Sequence, residues 1–208
     1  MWRSICALLA TLALAGLAHA EDPQYFLDAA NQEVPVPPPD KAQIVLLEPL
    51  DTVAAGIPVA TWVMKGEERN LVAVTTRTSK AVILLDPGTH RLMSTNMLGK
   101  VHFLDATVEA GKRYYVLLRF VYGQGFQLRP IRTTAVSDFN MASADWKIWT
   151  ENSKRLVEKG PASDEHFQKE RVTKRLGKLY AKAVEEWNEK TDAQRAELTL
   201  TPADAAPL

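Results

Sequence analysis

The stretch Leu84-Leu85-Asp86-Pro87-Gly88-Thr89-His90, followed by Val108-Glu109-Ala110-Gly111-Lys112-Arg113-Tyr114-Tyr115, constrains the fold more than any other part of the chain. An apolar run is stopped by a proline-glycine turn, and a second turn opens into a long aromatic-rich strand. Pro87 pre-sets φ for the second turn position, and Gly88 supplies the positive φ that a type II turn needs at the third. Such punctuation belongs to chain that pairs as strands. No residue set here has the spacing of a known chemistry, so the sequence speaks of architecture and address more than of activity.

Strand signals continue on both sides of these turns. Gln43-Ile44-Val45-Leu46-Leu47 is a short apolar run ended by Glu48-Pro49, and 57–64 and 71–75 follow, separated by Gly66 and charged residues. Further runs cover 81–85, 91–95 and 101–108. In 113–122 the alternation is clearest: Tyr114, Val116, Leu118, Phe120 and Tyr122 share one face, with Arg113 and Arg119 on the other. Gly123-Gln124-Gly125 reads as a hairpin connection into Phe126-Gln127-Leu128-Arg129. Seven or eight short strands without intervening helical periodicity predict an antiparallel β-sandwich over residues 41–136.

Beyond Ser137 the period changes. Ala142, Trp146, Trp149 and Leu156 step by helical intervals, and Gly160-Pro161 closes that segment. Ser163 or Asp164 then caps a longer helix in which Val172, Leu176, Leu179, Ala183 and Trp187 form a narrow stripe interrupted by Gly177. Two C-terminal helices over 140–198 make the fold class α+β. The Pro-, Ala- and Asp-containing segment 199–208 reads as a disordered tail. Residues 21–40 read as a leader: four prolines within 35–39 favour polyproline II, and Pro35 and Pro38 form a formal PxxP pattern best taken as a spacer.

The first twenty residues read as an export signal. Arg3 gives a positive start, Ile5 to Leu17 an apolar stretch too short to span a bilayer, and Ala18-His19-Ala20 a cleavage site. The expected mature chain starts at Glu21, and a periplasmic location follows. Cys6, the single cysteine, falls inside the signal, so disulfides, thiolate metal sites and thiol nucleophiles drop out. With 25 basic and 25 acidic residues the chain has no global field to steer it onto nucleic acid.

Residues 42–133 carry a further pattern: Ala42-Gln43-Ile44-Val45, then Pro87-Gly88-Thr89-His90, then Ala110-Gly111-Lys112-Arg113-Tyr114-Tyr115-Val116, closing on Leu128-Arg129-Pro130-Ile131. In order and spacing this resembles the bacterial domain-of-unknown-function family 2846. The resemblance implies an exported β-sandwich, often in lipoproteins or other envelope proteins, with no established activity. The chain departs from that pattern in having no lipobox cysteine and in its C-terminal helices.

Chemistry finds little purchase. His90 follows the turn, and a strand spacing of three puts His102 and Asp105 on opposite faces, against a joint metal site. His166 and Glu170 stand one helical turn apart, two ligands where a metal needs more. Gly123-x-Gly125 lacks the third glycine of a phosphate loop, and no Gly-x-Ser-x-Gly elbow or paired carboxylate site is present. No catalytic, cofactor or metal residues are assigned, and a non-enzymatic role is expected.

Surfaces are the better candidates. The helix after Gln168 carries Lys169, Arg171, Lys174, Arg175, Lys178 and Lys182, with the sign reversing at Glu185, Glu186 and Glu189. This basic face either contacts an anionic membrane or acidic partner, or is simply solvated. Trp146, Trp149 and Trp187 either anchor a partner or bury the helices against the sheet. The expectation is an accessory protein that binds an envelope protein or peptide, with strand addition at an open sheet edge as one route. Peripheral membrane attachment through the basic helix is the alternative.

Overall fold

The computed structural model describes residues 24–50, 56–135 and 137–208. The expected export signal lies outside them. In chain order the strands are β1 (Phe26–Asp28), β2 (Ala42–Glu48), β3 (Val59–Lys65), β4 (Glu68–Thr75), β5 (Ser79–Leu85), β6 (Gly88–Thr95), β7 (His102–Val108), β8 (Arg113–Val121) and β9 (Gly125–Ile131). Helix α1 (Ala144–Asn152), strand β10 (Arg155–Lys159), helices α2 (Pro161–Gln168), α3 (Glu170–Asn188) and α4 (Asp192–Ala196), and strand β11 (Thr199–Leu200) complete it, with a 3-10 turn at Pro202–Asp204. The fold is mixed α+β. One six-stranded sheet has the order β1-β10-β5-β2-β8-β9, and one five-stranded sheet the order β11-β7-β6-β3-β4.

The eight runs read as strands from alternation are β2 to β9. They include the hairpin β8–β9, closed at Gly123-Gln124 by the Gln124 N–H donating to Val121 O at 2.9 Å. The Pro87-Gly88 turn joins strands of different sheets, β5 and β6, with Gly88 at φ +129°. Because the chain keeps changing sheets, neighbours in space are not always neighbours in sequence. Antiparallel pairing therefore fails in three places: β2 runs parallel to β8, β10 to β5 and β11 to β7.

Alternation sends each strand's side chains to two destinations. Ile44, Leu46, Ile83, Leu104, Tyr114, Val116, Leu118 and Leu128 come from both sheets and meet in one shared core. The Tyr114 face is thereby filled with packed side chains, except at its end, where Tyr122 is 94 % exposed. On the far side of the five-stranded sheet, Trp62, Met93 and Phe103 pack beneath Leu176, Ala183 and Trp187 of α3. On the far side of the six-stranded sheet, Val45, Leu47, Leu117 and Ile131 lie under Trp146 and Trp149 of α1 and under Phe139. Each sheet thus carries its own helical cover, and β2 is buried along its whole length.

Four segments depart from the sequence-based expectation. The helix holding Trp146 and Trp149 stops at Asn152, because the Arg155 N–H donates to Thr78 O at 3.1 Å and draws the chain into β10. Leu156 sits on that strand, and Pro161 opens α2 instead of closing a helix. The long second helix is broken at Lys169, whose ψ of 133° separates α2 from α3. Four α-helices therefore stand among the described residues where two were expected. The tail is ordered: β11 pairs with β7, and Leu200, Asp204 and Ala206 are buried.

The leader is also tied down. Its residues 26–28 pair with β10, and Gln43 and Arg113 both donate to Pro35 O, at 2.9 and 2.6 Å. Gly160 is required at this contact, since any Cβ there would drive into the Gln24 carbonyl.

Candidate functional site

The sequence-predicted surface residues do not form one surface. Trp146 and Trp149 are half-buried against the six-stranded sheet: the Trp146 ring meets Tyr115 edge-on at 4.9 Å, and Trp149 stacks on Phe139 at 5.8 Å. Trp187 is 5 % exposed beneath the other sheet's helix, edge-on to Phe103 at 6.0 Å, with the Arg91 guanidinium 4.9 Å from its ring centre. Arg91 is itself held by Asp105 through two bonds of 2.7 and 2.8 Å. Trp187 is therefore unavailable to a partner, because helix-on-sheet packing takes the whole indole. Lys174, Arg175, Lys178 and Lys182 are exposed on α3, and Lys169 is exposed at the break before it.

The histidines remain apart. His90 Nε2 lies 2.8 Å from Asp86 O at the turn, next to the Lys41–Asp86 ion pair at 2.6 Å. His102 approaches Gln124 O at 3.3 Å, on the opposite face of β7 from Asp105, and burial pulls its pKa down. His166 faces the Tyr25 hydroxyl at 3.2 Å, and burial lowers its pKa too. The break at Lys169 puts His166 and Glu170 on different helices, which removes the one-turn relation between them. Among the described residues no group of three or more His, Cys, Asp or Glu is placed to hold a metal ion. No helix among them is long and apolar enough to cross a membrane.

Strands β5 and β10 pair over only two positions, Ser79–Arg155 and Lys80–Leu156, and then diverge. The bond from Arg155 N–H to Thr78 O fixes which way each backbone faces. By alternation, the N–H and C=O of Val82 and Leu84 point away from β2 into the gap. The partners of β2 are the intervening residues Ala81, Ile83 and Leu85, in register with Leu46, Ile44 and Ala42.

The other prong is equally open. Leu156 and Gly160 turn their backbone groups to the β1 side, accepting from Ala29 N–H and donating to Tyr25 O at 2.9 Å each. Val157 and Lys159 therefore face the gap. Among the described residues no strand pairs with β5 beyond Lys80 on this side.

This fork holds an open, mostly apolar groove of about 520 Å³. Val72 and Ala73 of β4 lie beneath it, and Val82 and Leu84 line one wall. Leu84 is 50 % exposed, on the alternate face of a strand whose Ala81, Ile83 and Leu85 are buried in the core. Glu33 and Glu158 stand at the rim, exposed and in no ion pair among the described residues, whereas the Lys159 ammonium is neutralised by Asp164 at 2.7 Å. Pro35 bounds the groove on the leader side, held by the two bonds to its carbonyl.

Sequence reasoning foresaw an open edge but not its place. The missing signal was β10, whose Leu156-Val157 pair followed by Gly160-Pro161 carries a strand's composition within a helix-like spacing. Comparison of the chain with models of known protein families and with curated proteins finds no match.

Proposed function

We propose that the chain is an exported, non-enzymatic accessory protein of the bacterial envelope whose β-sandwich binds a partner's peptide segment in extended form. The bound segment enters the fork between β5 and β10 as an added strand. One observation carries the reading: two strand edges, at Val82–Leu84 and Val157–Lys159, face each other across an apolar groove, and no strand of the described residues lies between them. Main-chain bonds to both edges supply affinity without sequence preference, and side-chain pockets supply selectivity. The Leu84 wall suits an apolar residue. The free carboxylates of Glu33 and Glu158 suit a lysine or arginine at the flank. The reading takes the exported setting from the signal pattern of residues 1–20.

Two measurements test it. In the free protein the amides of Val82 and Leu84 exchange with solvent faster than those of Ala81 and Ile83, because only the latter pair with β2. A randomised decapeptide library selected against the protein yields basic-apolar peptides that slow the exchange at Val82 and Leu84. Their binding weakens at least about tenfold in Leu84→Pro, which deletes a donor that no strand of the described residues uses. Equal exchange at all four amides overturns the reading. So does a library yielding no binder, or peptides that bind Leu84→Pro as well as wild type.

A further inference from the structure

We infer that the basic stripe of α3 attaches the protein electrostatically to a bilayer surface rich in anionic headgroups, a role separate from the β5–β10 fork. The stripe consists of Arg171, Lys174, Arg175, Lys178 and Lys182, all exposed. At about 100° per residue they project opposite the buried Leu176, Ala183 and Trp187, along roughly 16 Å of helix. None has a carboxylate within ion-pair distance among the described residues, whereas Lys169 beside them is paired with Glu165 at 3.4 Å.

Three observations favour a lipid surface. First, helix stability does not account for the order of charges. Apart from Glu170 in the first turn, Arg171, Lys174, Arg175 and Lys178 occupy the N-terminal half of α3, Glu185 and Glu189 stand at its end, and the last turn has no basic residue. The macrodipole favours the reverse order. Second, the apolar face of α3 is committed to the five-stranded sheet, so the helix cannot roll or insert and the cations are held facing outward. Attachment is therefore by charge at headgroup level, without the apolar burial of a free amphipathic helix. Third, no large apolar side chain of α3 is exposed. A protein partner of useful affinity would be met by an aromatic or aliphatic anchor. A polyanionic plane requires only the charges.

The test is co-sedimentation of the chain from Glu21 onward, free of the apolar stretch Ile5 to Leu17, with vesicles of phosphatidylcholine alone or mixed with phosphatidylglycerol, at about 0.05 M and about 0.5 M salt. The same is done for Lys174→Glu/Lys178→Glu, a pair of changes that brings the charges of α3 into line with its dipole and so leaves the fold secure. Wild type sediments with the mixed vesicles at low salt, is released at high salt, and ignores the neutral ones. Each lost cation is worth about fivefold, so the double variant binds about 25-fold or more weakly. Failure to bind mixed vesicles at low salt overturns the inference. Equal binding to both vesicle types does too, as it marks attachment through apolar residues. An undiminished variant, or displacement by polyglutamate more readily than by anionic vesicles, likewise assigns the stripe another role or an acidic protein.

Discussion

Replacing Glu48 with glutamine raises stability at about pH 8 by several kcal/mol and leaves it close to wild type at about pH 5. Glu48 ends β2 with its side chain on the face that carries Ile44 and Leu46, fully buried, and neither carboxyl oxygen has a hydrogen-bond partner among the described residues. Burial pushes the carboxyl up to about 8, with the nearby Thr75 hydroxyl acting the other way. A carboxyl whose pKa is raised on folding binds its proton more tightly in the native state. The stability it allows is complete below about pH 4.5, where both states are protonated. Above that the unfolded chain ionises and the native one does not, so stability falls by about 1.4 kcal/mol per pH unit. The fall reaches about 5 kcal/mol near pH 8, where the native carboxyl begins to ionise as well. His102 and His166, with lowered values, work in the opposite direction as pH rises through the histidine range. The difference between wild type and Glu48→Gln isolates the carboxyl from them. Urea midpoints across about pH 5 to 8 check it, and parallel wild-type and variant profiles would remove the argument.

Glu48 also shows what could be read from the sequence and what could not. As the residue before Pro49 it marks correctly the end of an apolar strand, yet nothing local says that its carboxyl turns into the space between two sheets. The same division holds throughout. Strands β2 to β9 were legible because half-buried strands write their two faces into alternating residues, and β8 with Tyr114, Val116 and Leu118 does so most clearly. Strands β1, β10 and β11 are three, five and two residues long. At those lengths periodicity carries little information, and pairing to distant strands decides the conformation. Leu156 illustrates the conflict: its spacing from Trp149 fits a helix, but the capture of the Arg155 N–H by Thr78 makes it a strand residue.

The tryptophans divide similarly. Helical spacing foretold that large rings would lie on one face, and could not tell that Trp146 and Trp187 cover different sheets. The fork is the extreme case, since its defining property is a missing ladder between residues far apart in sequence. The exposed cations from Arg171 to Lys182, by contrast, were legible from helical spacing, whereas Lys169 falls at the break before α3 and pairs with Glu165.

Arg132→Ala detaches the C-terminal segment, lowers the thermal midpoint by roughly 10 °C and opens the chain after Ala196 to protease. The segment looks disordered by composition, yet one guanidinium makes three of the bonds that hold it, beside the β7 ladder and the bond from Ala206 N–H to Arg113 O. Arg132 donates to Thr199 O at 2.7 Å, to Ala196 O at 2.7 Å and to Asp204 Oδ2 at 2.6 Å, and the ion-paired side chains are only 12 % and 7 % exposed. Asp204 Oδ2 also accepts from the Thr201 N–H and hydroxyl, which closes the 3-10 turn on itself. Leu200 thereby reaches the core shared by the sheets and β11 completes the edge at β7. Removing one partner of so buried a pair costs about 3–5 kcal/mol, because the other charge is left without compensation. Peeling the tail away relieves the stranded Asp204 carboxylate at the expense of Leu200, so local opening comes before global unfolding. Arg132→Met/Asp204→Leu recovers part of the midpoint, since no charge is left uncompensated, while the Thr201 N–H and the Thr199 and Ala196 carbonyls still lose their partners. Hydrogen exchange at Leu200 follows the detachment directly. Wild-type protection there in Arg132→Ala, or a double variant as unstable as the single one, would show that the tail is held by Leu200 burial and the β7 ladder instead of by the arginine.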